Sequence, residues 1–192
     1  MPSLVSPDSQ KVRRKLVLLF LVAAVVAGTA DARPRDDRIP ATASSTRITR
    51  VPELQARVLT AINDLRESKG LSALQLNGAL SLAAAGHSRA MAQRGFFSHD
   101  CVNGSPFWTR IKPKYRPQPG NTWAVGENMV WASPDLSADQ AIEMWLASPR
   151  HRKNLLSPAW REVGLGAVRA LGAPGVYDGL DVTLLTADFG VR

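Results

Sequence analysis

Apolar residues along this chain recur in two different rhythms. After Pro52, which suits a first helical turn, Leu54, Val58, Ile62 and Leu65 return at helical spacing as far as Glu67, and Gly70 marks the stop. Asn77 is a good N-cap, and behind it Leu80, Ala84, His87 and Met91 form a second stripe that ends at Gly95. Ser137 opens a third helix as a capping box with Gln140, with Ala138, Ile142 and Trp145 on its inner side. Ser148-Pro149 then reads as a stop and restart, which puts His151 in the first turn of a fourth helix. The other rhythm is period two. It places Val125, Glu127, Met129 and Trp131 on one face of a short strand, and predicts an antiparallel pair from Val163–Val168 and Val182–Ala187. Between the second and third helices, 96–136 is broken by Pro106, Pro113, Pro117, Pro119 and Pro134, and irregular stretches of that length usually carry function.

The first 32 residues follow a third pattern. Lys11, Arg13, Arg14 and Lys15 precede twelve apolar residues, Leu16 to Ala27, and Ala30-Asp31-Ala32 offers small residues at the −3 and −1 positions of a cleavage site. Twelve residues rise about 18 Å as a helix, short of the ~30 Å hydrocarbon core. The segment therefore reads as a signal peptide, with a retained anchor as the alternative. Residues 33–50 are polar, Pro/Ser/Thr-containing and aperiodic, a flexible lead. The organisation expected is thus a signal peptide over 1–32, a linker over 33–50 and one domain over 51–192, a length that supports a single core.

Charge narrows the partners. The chain is +8, with 24 basic and 16 acidic residues; the first 32 residues hold four and two of these, so 20 and 14 remain, a net +6. Such a surface outside the cell suits anionic envelope polymers or lipid head groups, although a merely solvated, soluble surface is the plainer reading. The arginines are scattered and lack aromatic interleaving, so no nucleic-acid partner is expected. Membrane contact is expected only through the signal segment, if it is uncleaved. Cys101 is the one cysteine, so no intrachain disulfide can staple the domain.

Candidate chemistry lies in the three histidines, His87, His99 and His151, together with Glu127. His99 closes the turn FFSHD, and His151 opens a helix, where the positive end of the backbone dipole favours the neutral imidazole. Glu127 stands among apolar neighbours and needs a cation, a donor or a proton to be buried. Two imidazoles and a carboxylate are a known zinc set, although no HExxH or Cys/His knuckle is present and a hydrogen-bonded network is the alternative. His87, on the core-facing stripe, reads as structural or as support behind the ligands. Asn128 would satisfy backbone groups at the strand edge, and Trp131 and Trp145 would pack in the core.

The runs LNGALSLAAAGHSRAMAQRGFFSHD, NGSPFWTR, VGENMVWAS, MWLASPRHRKNLLSPAWREVGLG and TADFG occur in that order over roughly residues 52–190. Together they resemble the bacterial, SCP-like branch of the CAP superfamily (cysteine-rich secretory, antigen 5 and pathogenesis-related 1 proteins). The resemblance implies an α+β fold, an α-β-α sandwich with a small antiparallel sheet between helical layers. It also implies a cleft that in the family carries two His and two Glu. Matched motif by motif, these fall on His99, Glu127 and His151, while the second Glu position, three residues after Trp145, is Ser148. That departure counts against any mechanism needing two carboxylates.

The function expected is a secreted, non-enzymatic binding module. Its His/Glu cleft would take zinc or another divalent cation, or a small or lipid ligand, with His99, His151 and Glu127 as metal ligands and Ser148 lining the cleft. The alternative is a zinc-dependent hydrolase of peptide or envelope polymer, with Glu127 as the candidate catalytic residue. A serine hydrolase is disfavoured because no GxSxG elbow is present.

Overall fold

Helix boundaries follow the capping chemistry. The computed structural model describes residues 46–192, so the signal segment and residues 33–45 of the lead lie outside the described residues. Helix α1 spans Pro52–Glu67, with Pro in its first turn and Leu54, Val58 and Ile62 buried. Helix α2, Gly78–Arg94, starts where the Asn77 side chain accepts from the amides of Ala79 and Leu80 and stops at Gly95, whose φ of 67° is left-handed. A short helix α3, Trp108–Ile111, interrupts the proline-rich stretch. Helix α4, Ala138–Ala147, is capped by the Ser137 side chain accepting from the Gln140 amide. Helix α5, Pro149–Leu155, restarts at Ser148, but the Ser148 hydroxyl makes no capping bond; Pro149 alone supplies the start signal.

Three long strands form the centre of the sheet: β3 (Ala124–Ala132), β4 (Glu162–Leu171) and β5 (Val182–Val191). Two short strands add to them. Strand β1 (Arg47–Arg50) pairs antiparallel with β4, and β2 (Gln75–Leu76) runs parallel to it. The path is β1-β4-β5-β3, which leaves β3 at an edge. The linker expected over 33–50 is corrected by β1: Arg47–Arg50 belong to the folded domain. Four residues with only Ile48 partly buried carry too little period to be read as a strand, and their partner lies more than a hundred residues away.

Alternation along the strands separates two apolar layers. Leu165, Ala167, Leu185, Ala187 and Phe189 pack with Leu54, Val58, Ile62, Trp145 and Leu155, from α1, α4 and α5. Val168, Leu184 and Met129 pack on the other side with Met91 and Ala92 of α2 and with Tyr177. Leu80 and Ala83 of α2 also pack on Ile111 and Tyr115. The result is a sheet between helical layers, as the resemblance implies. Helix α2 lies hard on β4 because Gly164 and Gly166 have no side chain; a Cβ on either would run into helix backbone, at Leu80–Ser81 and Ala84–Ala85 respectively.

Candidate functional site

Three elements converge at the free edge of β3. The first is the chain leaving α2. His87 is buried on that helix, and its Nε2–H donates to the Ser98 carbonyl at 2.9 Å, while its ring meets Phe96 edge-on. This bond ties down the segment that carries His99. The second element is β3, whose alternation turns Glu127 toward the α2 side; its side chain is 1% exposed. The third is α5. Asn128, on the opposite face of β3, donates to the His151 carbonyl at 3.0 Å, and Asn154 donates to the Glu127 carbonyl at 3.0 Å and to Asn128 Oδ1 at 2.9 Å. These amide bonds hold the start of α5 against the strand. His99 Nδ1–H donates to Glu127 Oε1 at 2.7 Å, and the His99 and His151 rings stand 6.3 Å apart, tilted by 57°.

Arg110, from the end of α3, completes the cluster. Its guanidinium contacts the second Glu127 oxygen, Oε2, and its Nη1 donates to the His99 carbonyl at 2.8 Å. Glu127 therefore has both the cation and the donor that its burial demands. Directly across from it on β5 stands Asp188, in register and fully buried, with neither carboxylate oxygen hydrogen-bonded among the described residues. Directly opposed residues place their Cβ atoms about 5 Å apart. Burial pushes the Asp188 carboxyl up to about 7, against the pull of Arg110 and His99. Desolvation lowers His99 and His151 below the ordinary imidazole value; Arg110 adds to the effect at His99, and His99 adds to it at His151. His87 falls to about 4, chiefly by burial and then by Arg110. At all three imidazoles the shift favours the neutral form.

A family model for the cysteine-rich secretory protein family, CAP, matches residues 59–175, more than half of the chain. The chain is a CAP protein. Its CAP domain is 29% identical over 141 residues to YkwD of Bacillus subtilis, a match covering 69% of this chain and 51% of YkwD. The membrane protein YlbC of the same organism is 30% identical over 115 residues, covering 60% of this chain and 32% of YlbC. The match thus takes in about half of one curated relative and a third of the other. Among solved structures, an extracellular SCP-domain protein of Bacillus anthracis aligns with a TM-score of 0.56 and 25% identity, over 74% of this chain and 41% of its own. An outer surface protein of Borrelia burgdorferi shares the fold, with a TM-score of 0.57 and 20% identity over 77% and 98%.

In this CAP domain, His99, Glu127 and His151 come together, but not as three equal donors. Both Glu127 oxygens face cationic or N–H groups, and among the described residues no three His, Cys, Asp or Glu side chains are grouped to hold a metal. The remaining side chains that could hold a cation are the two imidazoles, whose ring centroids are 6.3 Å apart. A carboxylate that accepts from one ring nitrogen fixes the tautomer that leaves the other as a ligand, a usual support for a metal-binding histidine. Ser148 stands at the α4–α5 junction, and its side chain makes no hydrogen bond to the cluster among the described residues. His87 and Asn128 support the segments on either side.

Arg110 and Asp188 were not singled out from the sequence, although NGSPFWTR and TADFG contain them. For Arg110 the available signal was the counter-charge that a buried Glu127 requires. For Asp188 it was a lone carboxylate in a β5 that otherwise holds only apolar residues, two threonines and a glycine.

Proposed function

We propose that this chain is an exported binding module, not an enzyme, whose His99–His151 pair takes a divalent cation such as zinc. The organisation is that of a signal segment over residues 1–32, a short linker and the CAP domain. The leader pattern supports export, as do the extracellular and outer-surface names of structural relatives. The observation that carries the binding reading is the 2.7 Å bond from His99 Nδ1–H to Glu127, beside the facing ring of His151. It supports His99 and His151 as the two protein ligands and Glu127 as the group that orients the first of them. A bound zinc ion would supply a Lewis-acidic centre for a small or lipid ligand with a donor atom. Arg110 keeps a fixed positive charge close by, so affinity is held to a modest level.

The hydrolase alternative needs a free general base. Glu127 is engaged at both oxygens, Ser148 is not a carboxylate, and Asp188 is enclosed and holds its proton up to about pH 7. The binding reading asks for none of these groups to be free.

Zinc titration of the wild type, His99→Ala and His151→Ala by calorimetry tests the reading. One equivalent is expected for the wild type, with a loss of at least tenfold in affinity in each variant. Because both imidazoles are shifted downward, uptake should persist below pH 6.5 and fail only as the pH drops through their lowered values. A wild-type chain that binds no zinc rejects the proposal, and peptide or envelope-polymer turnover abolished by Glu127→Ala would replace it with the hydrolase.

A further inference from the structure

Charges are unevenly distributed along the domain. From Ser68 to Gly126 there is one acidic residue, Asp100, against seven basic ones: Lys69, Arg89, Arg94, Arg110, Lys112, Lys114 and Arg116. Four of the seven fall within 110–116, on α3 and the turn after it. Ile111 and Tyr115 are fully buried there and pin this segment to the core, so their neighbours Trp108, Lys112, Lys114 and Arg116 are left exposed. Arg110 is committed to Glu127. Among the described residues, no carboxylate lies within 4.0 Å of the Lys112, Lys114 or Arg116 head groups.

Beside Lys112 and Arg116 is an apolar depression; Lys114 lies on the adjoining side, its Nζ donating to the Arg110 carbonyl at 3.5 Å. Trp108, Thr109, Lys112, Pro113, Arg116 and Pro117 line an open hollow of about 500 Å³, and Trp108 keeps 42% of its surface in solvent. An indole with two proline rings, rimmed by cations, is an amphipathic surface. Tryptophan suits the boundary between apolar and wet layers, and lysine and arginine lay their stems on apolar surface while the charge stays in water.

We propose that the 108–117 segment is a docking surface for an anionic phospholipid bilayer. Trp108 enters the headgroup layer, and Lys112, Lys114 and Arg116 lie against lipid phosphates. The unbalanced charge selects an anionic over a neutral surface. The apolar hollow selects a bilayer over a wholly charged polymer, which would engage the cations and leave the indole and prolines uncovered. From the sequence, membrane contact was expected only through the signal segment; this surface gives the folded domain a contact of its own. The inference rests on the export part of the proposed function and is independent of the imidazole pair.

The test uses the full chain with vesicles of phosphatidylcholine alone and with about one third phosphatidylglycerol, a composition expected to attract basic segments strongly. Hydrogen exchange is followed at residues 105–118. The expected result is slowed exchange there with the anionic vesicles only, reversed by 0.5 M salt as screening requires (roughly a 4 Å Debye length). Vesicle affinity should fall at least tenfold in a Lys112→Glu/Lys114→Glu/Arg116→Glu variant and severalfold in Trp108→Ala. Any binding through the apolar run 16–27 is common to all variants and drops out of the comparison. Unchanged exchange at 105–118, or equal binding by wild type and the triple variant, overturns the proposal. So does protection of this segment by isolated cell-wall polymer but not by vesicles. Zinc uptake measured on the wild type separates the two readings: a wild-type chain that takes zinc but ignores vesicles rejects only the docking surface, and one that binds vesicles but no zinc rejects only the imidazole site; the triple variant is expected to keep its zinc uptake.

Discussion

Asp188 is the least satisfied residue in the domain. It is enclosed, faces Glu127 across the β3–β5 pair, and has no hydrogen-bond partner among the described residues. Burial without a partner disfavours the charged carboxylate, and the nearby cation is engaged by Glu127. Asp188 therefore stays protonated up to about pH 7, well above the ordinary range for a carboxyl. The sign of the linkage follows: the folded state binds this proton more tightly than the unfolded chain does, so the contribution of Asp188 to stability falls as pH rises from about 4 to about 7 and is then level. Asp188→Asn removes that slope. In urea unfolding, the variant should exceed the wild type by roughly 2–4 kcal/mol at pH 8, a gain that shrinks toward zero at pH 4. A variant no more stable than the wild type at pH 8 would show that the carboxylate is compensated. His87 has the opposite dependence: it is held neutral in the fold, and its contribution is lost as pH falls from 6.5 toward 4.

Elements place these residues only because α2 sits so close to the sheet. Gly164 and Gly166 of β4 receive its backbone, and through the His87–Ser98 bond α2 sets where His99 enters the cluster. Gly164→Ala would force a Cβ into Leu80 and Ser81, so a loss of about 3 kcal/mol or more in urea unfolding is expected, together with weakened zinc uptake. An alanine accepted without cost would mean that the helix can ride outward. Much at this scale was readable in advance. The starts of α1, α2 and α4 follow from Pro52, Asn77 and Ser137, and β3 from its alternation. Strands β1 and β2 were not readable, because four and two residues cannot show a period and both depend on β4 for their pairing. Helix α3 was hidden for a related reason, being a four-residue turn anchored by Ile111 in a stretch otherwise full of prolines.

The whole domain is held by packing on both faces of one sheet, without covalent staples. Cys101 is unpaired, and the buried clusters supply the cohesion. Buried Arg66 adds to this, its guanidinium donating to the carbonyls of Ser72, Leu155 and Ser157 and tying α1 to the end of α5. The melting temperature should be the same with and without dithiothreitol; a marked fall would mean that Cys101 joins two chains. By itself the sequence determined the helical stripes and their caps, the period-two strands, and which scarce residues could carry chemistry, since each is encoded within about a dozen neighbouring residues. Only the tertiary structure decided that Arg110 meets Glu127, that Asp188 stands opposite it, and that a basic segment frames an exposed tryptophan. Those outcomes depend on strand order and on how closely α2 approaches the sheet, and they join residues dozens of positions apart that no local pattern relates.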